Sequence, residues 1–232
     1  GVSLTGIMDH YLLSKATSDL ERWLTEMRNV AIETNKEWSE KLGVNQSTAI
    51  TCVKPSGTVS QLVNSASGIH PRFSRHYIRR VRGDKKDPLS VFMSNAGVPV
   101  ESDVMSPTTT DVFSFPVKAP ESSVTVKQTG AMEQLELWKA YQEHWCEHKP
   151  SVTISEKEDE WMEVGNWVWD NFDNISGISF LPFSEHTYRQ APYQDCTKEE
   201  FDTALKAMPK NVDWSKLGDY EAQDYTAGAQ TV

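Results

Sequence analysis

A short segment rich in small and hydroxyl-bearing residues, KPSGTVS at residues 54–60, has the composition of an anion site. It follows an apolar run at residues 49–53 and precedes a predicted helix start. Backbone N–H groups at a helix start lack partners and carry partial positive charge, and small residues let a phosphate approach them. Ser56, Gly57, Thr58 and Ser60 fit such a site. The segment has neither the Walker A nor the GxGxxG pattern, and an ordinary strand-to-helix turn capped by Ser or Thr explains the residues equally simply.

A group of basic residues follows this segment in an otherwise acidic chain. They are Arg72, Arg75, Arg79, Arg80, Arg82, Lys85 and Lys86. Such a concentration of charge could receive a triphosphate or the acidic face of a partner. It could equally be a solvated face that pairs with carboxylates elsewhere, and the residues alone leave both interpretations open. Because no aromatic stacking platform accompanies the group, binding of single-stranded nucleic acid is not expected.

Two further segments contain residue types that are used in metal binding or acid–base catalysis. HWCEH places His144 and His148 four residues apart, which puts them on one face if the segment is helical. Cys146 would point away from that face and no third ligand is near, so we predict no metal site there. The segment at residues 181–197 carries Glu185 and His186 just after a predicted strand, where α/β proteins often place their sites. An acid–base pair and a loop packed by its own aromatic residues both remain open. No nucleophile motif is present, and no catalytic residue is assigned.

Apolar periodicity predicts the elements that must position these segments. Predicted helices cover residues 19–42, a stretch ending at 64, and residues 88–96, 130–148, 158–172 and 198–208. Predicted strands cover residues 47–53, 111–117, 151–155 and 175–181, while residues 75–82 fit either type. Alternating helices and buried strands are typical of the α/β class, either as an open sheet or as part of a barrel. We expect the strand residues 49–53, 112–117, 151–154 and 178–181 to share one sheet with helices packed outside it.

Composition limits the class of protein. The 232 residues are 38% apolar and include eight Trp, which is enough for a sizeable core. The net charge of −10 argues against direct nucleic-acid binding and against a membrane surface as partner. No stretch of residues is apolar enough to predict a membrane span. Cys52, Cys146 and Cys196 lie far apart, which predicts free thiols in a reducing compartment.

The chain has no recognisable linker or repeat, so we interpret residues 1–232 as one domain or as part of one. It starts at Gly1 without an initiator Met and ends on YTAGAQTV. It also lacks a secretory leader pattern. We expect the chain to be a piece of a longer protein.

Four motifs, in order along the chain, resemble one enzyme family. They are GVSLTGIMD, KPSGTVSQL followed by SGIHPRFSRHYIRRVR, HWCEHKPSVTIS, and GISFLPFSEHTYRQAPYQDCTKEEF. Together they resemble the C-terminal part of the catalytic barrel of ribonucleotide reductases. The resemblance is strongest to the adenosylcobalamin-dependent (class II) enzymes, in their monomeric ribonucleoside-triphosphate reductase branch.

This resemblance implies a fold and a function. The fold would be the C-terminal portion of a ten-stranded α/β barrel. The whole enzyme would use adenosylcobalamin to start thiyl radical chemistry that turns ribonucleoside triphosphates into deoxyribonucleotides. It would require the N-terminal remainder of the reductase and a thioredoxin-type reductant, and it would be cytoplasmic. The resemblance assigns the substrate phosphates to Pro55, Ser56, Gly57, Thr58 and Ser60.

Parts of the family pattern do not occur in this sequence. The Asn-x-Cys-x-Glu pattern of the finger loop does not occur, so none of the three cysteines is assigned as the radical cysteine. The N-terminal partner of the barrel cysteine pair and the redox-shuttle cysteines near the C-terminus do not occur either. We therefore expect a fragment that does not turn over alone. A non-catalytic phosphate-binding subunit that completes a barrel with another polypeptide remains the alternative, followed by an unrelated phosphate-binding module.

Overall fold

The computed structural model describes residues 1–184 and 188–222. Its α-helices are α1 (Ser18–Leu42), α2 (Val59–Leu62), α3 (Pro88–Asn95), α4 (Ala131–His144), α5 (Trp161–Asp170), α6 (Lys198–Ala207) and α7 (Leu217–Glu221). Its strands are β1 (Val2–Ser3), β2 (Thr51–Cys52), β3 (His76–Asp84), β4 (Val100–Ser102), β5 (Thr110–Lys118), β6 (Thr153–Glu156), β7 (Ser179–Pro182) and β8 (Tyr193–Asp195). The predicted α/β class is confirmed.

The chain divides into two compact units. Of the described residues, the first unit contains 1–75 and 119–184, and the second contains 76–118 and 188–222. The interpretation of residues 1–232 as one part of a larger barrel stays a prediction.

The first unit has parallel strands covered by helices. β1 pairs with β2, and β6 pairs with β7, both in parallel. The N–H groups of Glu147 and Ser151 donate to the carbonyls of Thr51 and Val53, so the chain leading into β6 runs beside β2. The strands and the helices α1, α4 and α5 bury one apolar core, whose members include Leu24, Leu135, Trp138, Tyr141, Ile154 and Val164.

The second unit contains a four-stranded antiparallel sheet in the order β4-β5-β3-β8. β3 and β5 pair over nine residues, from His76 opposite Lys118 to Asp84 opposite Thr110. Val112 and Phe113 of β5 are fully buried. Phe201 of α6 packs on His76, with ring centroids 5.1 Å apart.

The expectation of one shared sheet is wrong. Residues 112–117 lie in β5, within the antiparallel sheet of the second unit, whereas β2, β6 and β7 belong to the first unit. The pairing partner of β5 is the arginine-rich β3, which the sequence left undecided between helix and strand. Apolar alternation predicts a strand, but hydrogen-bond partners that are distant in sequence decide its sheet.

Helix boundaries follow local chemistry where the sequence contains a clear cap. Gly43 ends α1 with a φ of 65°, as predicted, because glycine adopts the left-handed conformation without a steric penalty. The capping box of Thr197 and Glu200 at the start of α6 is also confirmed. The cap of α1 was predicted wrongly, since Thr17 rather than Ser18 or Asp19 accepts the N–H of Leu20 at 3.2 Å.

Candidate functional site

The predicted anion site lies on a loop that leaves the buried strand β2 and enters α2. Pro55, Gly57 and Thr58 are exposed, Ser56 is half-buried and Ser60 is fully buried. The predicted helix after the loop is only one turn long, Val59–Leu62. A single turn sums few peptide dipoles, so any anion here would depend on the N–H and hydroxyl groups of the loop itself.

Serine hydroxyl groups hold the loop in its conformation. The N–H of Ser56 donates to Ser67 Oγ at 2.9 Å, and the N–H of Ser60 donates to Ser56 Oγ at 2.8 Å. The hydroxyl of Ser60 donates to the carbonyl of Ser56 at 2.7 Å. The buried Ser60 therefore links the end of the loop to Ser56. Ser67, which the sequence analysis did not single out, holds the backbone of Ser56 from a later part of the chain.

Two residues of the loop face open space. A side-chain carbon added at Gly57 would meet no atom within 4 Å, and the φ of Gly57 is not in the left-handed region. Thr58 precedes α2, but its hydroxyl caps no N–H of the helix. Gly57 and Thr58 thus form the accessible rim of the loop, where an anion has room to approach the backbone.

A buried ion pair lies beside the segment that follows α2. The guanidinium of Arg72 donates to both carboxylate oxygens of Asp9, with Nε–Oδ1 and Nη2–Oδ2 distances of 2.8 Å each. The Asp9 carboxylate also accepts the hydroxyl of Ser123 at 2.7 Å and the N–H of Ala66 at 2.6 Å. The side chains of Arg72 and Asp9 are 3% and 15% exposed. Burial alone would raise the pKa of Asp9, but the hydrogen bonds, led by that from Arg72, lower it below its usual value.

The Asp9–Arg72 pair is connected to the loop through the segment that follows α2. Arg72 donates to the side chain of Asn64 at 3.1 Å and to its carbonyl. The next residue, Ser65, donates its N–H to the carbonyl of Ser60 at 2.8 Å. The ion pair therefore fixes the chain on the far side of α2 and thereby the position of the loop.

Most of the basic residues after the loop make contacts with other residues of this protein. Besides Arg72 with Asp9, Arg82 bonds Asp103 at 2.9 Å and Lys85 lies 3.5 Å from Asp111. Arg75 donates to the carbonyls of Pro120, Glu121 and Ser123. Arg79 lies over the ring of Tyr193, 5.6 Å from its centroid. Of the two interpretations left open by the sequence, these contacts favour pairing within the protein.

The HWCEH segment does not form one helical face. α4 ends at His144, so His148 lies beyond the helix and the predicted i, i+4 arrangement is wrong. Instead His144 Nδ1 lies 3.1 Å from the hydroxyl of Thr25, and the carboxylate of Glu147 accepts the N–H groups of Ile50 and Thr51. Among the described residues, no group of three potential ligands could hold a metal ion. Glu185 and His186 lie outside the described residues.

The three cysteines are free thiols, with Cys52 and Cys146 buried and Cys196 half-buried. Burial raises the pKa of Cys146 to about 12, and burial followed by the charges of Glu200 and Asp195 raises that of Cys196. We expect thiol titration in denaturant without reductant to find three groups, and titration of the native chain to find Cys196 alone, reacting slowly because little thiolate is present. A single group in denaturant would show that two cysteines are bridged.

Glu156 is a buried carboxylic acid that the sequence analysis missed. It ends β6, is 1% exposed, and finds no hydrogen-bond partner for either carboxylate oxygen among residues 1–184 and 188–222. Burial, followed by the nearby charge of Glu160, raises its pKa. Its position in the strand could have suggested burial, because Ile154 two residues earlier points to the same side of the strand and is fully buried.

Replacing Glu156 with Gln should stabilise the protein near neutral pH by about 1–3 kcal/mol, since it removes a buried charge that has no hydrogen-bond partner in the described part of the chain. With its raised folded-state pKa, Glu156 lowers stability progressively as pH rises from the unfolded-state value of about 4.3 through the folded-state value. Urea unfolding at several pH values should show the two proteins converging in acid. Glu163→Gln, at an exposed position of α5, is the matched control. Equal stability of Glu156→Gln and parent at neutral pH would contradict the assignment.

A crystal structure of a B12-dependent (class II) ribonucleotide reductase matches this fold with a TM-score of 0.79. The match covers 97% of this chain and 35% of the other, at 22% identity. The fold is thus that of a segment of a class II ribonucleotide reductase, the architecture that the sequence motifs implied.

Sequence comparison finds relatives of one enzyme type. The adenosylcobalamin-dependent ribonucleoside-triphosphate reductase of Euglena gracilis is 31% identical over 217 residues, which is 93% of this chain and 30% of that protein. The enzyme of the same name from Levilactobacillus brevis is 27% identical over 91% of this chain and 32% of its own length. No protein-family model matches. The chain is homologous to a segment of the adenosylcobalamin-dependent ribonucleoside-triphosphate reductases, which confirms the resemblance; it spans about a third of their length.

One concave surface in the described part of the chain does not fit a corrin. This surface, about 490 Å³, runs along one side of α1 and is lined largely by polar and charged residues such as Glu33, Lys36, Glu37 and Glu40. A corrin ring requires a broad apolar surface, which this concavity does not provide.

In the described part of the chain, no helix is long and apolar enough to cross a membrane.

Proposed function

We propose that this chain is the part of an adenosylcobalamin-dependent ribonucleoside-triphosphate reductase that binds the phosphates of the substrate. The observation that carries the proposal is the similarity to these reductases over 93% of the chain, which includes the loop at residues 54–60. In the whole enzyme, adenosylcobalamin supplies the radical that starts the reaction. The N-terminal remainder supplies the radical cysteine, and a thioredoxin-type protein supplies electrons in the cytoplasm.

Within this chain, the loop rim would make the contacts with phosphate. Gly57 and Thr58 are exposed, so the backbone at these residues and the hydroxyl of Thr58 would meet the phosphate, whereas the N–H of Ser56 holds the loop through Ser67 Oγ. Charge-assisted hydrogen bonds of this kind contribute about 1.5–3 kcal/mol each. Pro55 restricts the entry into the loop, and Ser60 shapes the loop from within. The buried Asp9–Arg72 pair holds the geometry, so these residues act by positioning the loop.

The proposal is tested by a reductase assay on the full-length gene product with a ribonucleoside triphosphate and a dithiol reductant. Deoxyribonucleotide should form when adenosylcobalamin is added and should not form when it is omitted. If this chain is encoded separately, activity should appear on mixing it with the polypeptide that carries the finger-loop cysteine. Failure to form deoxyribonucleotide with both parts and the cofactor present would refute the proposed function.

A further inference from the structure

One side of α5 exposes an unusual number of large apolar side chains. The side chains of Trp161, Met162 and Trp169 on α5, and of Phe172 in the turn just after it, are 51%, 80%, 82% and 70% exposed. We call these four side chains, together with the carboxylates beside them, the acidic–aromatic face. Trp161, Gly165 and Trp169 follow each other at intervals of four residues and so share one side of the helix. Gly165 leaves the space between the two indole rings open, because a side-chain carbon there would meet no atom within 4 Å.

The opposite side of the same helix already forms the core. Val164 and Trp167 are 4% and 7% exposed. The ring of Trp167 packs edge-on against Trp138, and its N–H donates to Glu136. The inner side therefore holds the helix in place, while Met162 and Trp169 on the outer side are at least 80% exposed. Large exposed apolar patches with a polar border mark interaction surfaces.

The border of this face is mostly acidic. Residues 158–180 contain six carboxylates, Glu158, Asp159, Glu160, Glu163, Asp170 and Asp173, and no Lys, Arg or His. Glu160 is used within the unit, where it accepts the N–H groups of Ala131 and Lys157. Lys139 of α4 reaches the end of α5, where it donates to Asn171 at 2.7 Å. The remaining carboxylates lie close in sequence to the aromatic side chains and favour a basic partner.

We propose that the acidic–aromatic face of α5 is the surface on which a basic, apolar part of the remaining reductase polypeptide docks. This inference rests on the proposed function, because the partner is the portion of the enzyme that lies outside this chain. The relatives are about three times as long as the segment matched here, so a polypeptide portion about twice the size of this chain is available to pack against it. A second copy of this chain is a poorer occupant, because a symmetric contact would place carboxylates against carboxylates. Exposed Trp and Met side chains are suitable anchors, and Lys or Arg side chains of the partner would pair with the border and stack on the indole rings.

The test is oxidative footprinting of the full-length reductase and of the 232-residue chain, read by peptide mass spectrometry. In the isolated chain Met162 and Trp169 should react fast and Trp167 slowly. In the full-length enzyme the reactivity of Trp169 should fall by about tenfold, which is roughly the ratio of the exposed fractions of Trp169 and Trp167, 82% and 7%. Trp167 reports that the helix is folded in both samples.

A charge-reversed variant tests the chemistry of the partner. Asp170→Lys with Asp173→Lys should restore most of the reactivity of Trp169 in the full-length enzyme. The matched control, Glu26→Lys with Glu37→Lys on exposed positions of α1, should leave it protected. If Trp169 stays protected from oxidation in the first variant, the proposal of a basic partner is wrong. If protection of Trp169 grows with protein concentration, the face binds a second copy of the chain. A fully reactive Trp169 in an enzyme that reduces ribonucleotides would overturn this inference while leaving the proposed function intact.

Discussion

Gly57→Val in the full-length reductase should raise KM for the ribonucleoside triphosphate strongly and lower kcat by about 100-fold. A valine side chain would occupy the space where the phosphate approaches the backbone, and small displacements of a substrate cost about that factor in rate. The structure indicates that this substitution should not disturb the fold. No atom lies within 4 Å of the added carbon and the backbone of Gly57 is not left-handed, so the fold should tolerate the change. Steady-state kinetics with parent and variant measures the effect.

Two further variants serve as comparisons for Gly57→Val. Thr58→Val removes one hydroxyl and leaves the backbone donors, so its effect should be smaller, about tenfold in kcat/KM, as expected for the loss of one hydrogen bond to a charged group. Gly218→Val also places a side chain in open space, but in α7, and should leave the kinetics unchanged. Should Gly57→Val remain within twofold of the parent in both KM and kcat, the loop at residues 54–60 is a turn and not a phosphate site.

Asp9→Asn should lower the free energy of unfolding by about 3–5 kcal/mol near neutral pH, because it leaves the buried guanidinium of Arg72 without its counter-charge. The sign of the pH dependence follows from the lowered pKa of Asp9. The stabilisation is fully present above the unfolded-state pKa of about 3.9 and is lost as pH falls through the lower folded-state value. Urea unfolding of parent and variant should therefore differ most near neutral pH and converge in strong acid.

A surface pair provides the control for this loss. Asp19 lies 3.2 Å from Arg22 on α1, with side chains 70% and 57% exposed. Asp19→Asn should cost no more than about 0.5 kcal/mol, since exposed pairs contribute little. If Asp9→Asn costs no more than Asp19→Asn, the Asp9–Arg72 pair does not hold the loop, and the positioning role assigned to it is wrong.

Local sequence was sufficient wherever a short-range rule decides the structure. Gly43 ends α1 because of its own backbone freedom, and Thr197 with Glu200 starts α6 through hydrogen bonds only three residues apart. The motif order also carried the family resemblance, since side-chain types at fixed spacing are what sequence comparison detects. For the same reason the loop at residues 54–60 could be predicted as a phosphate site before its conformation was known, and that role stays a prediction.

Long-range contacts decided the rest. The sequence placed Arg72 in a basic group, but only the fold brings it to Asp9, 63 residues away, and turns a candidate ligand contact into a buried support. β5 joined the antiparallel sheet because its nine-residue pairing is with β3, which a two-residue alternation cannot reveal. Glu156 and Trp169 also show that burial cannot be predicted from residue type alone. Composition predicts an exposed Glu and a buried Trp, whereas the packing of β6 and α5 buries the carboxylate and exposes the indole, because burial depends on which faces of a strand or helix find neighbours in the folded chain.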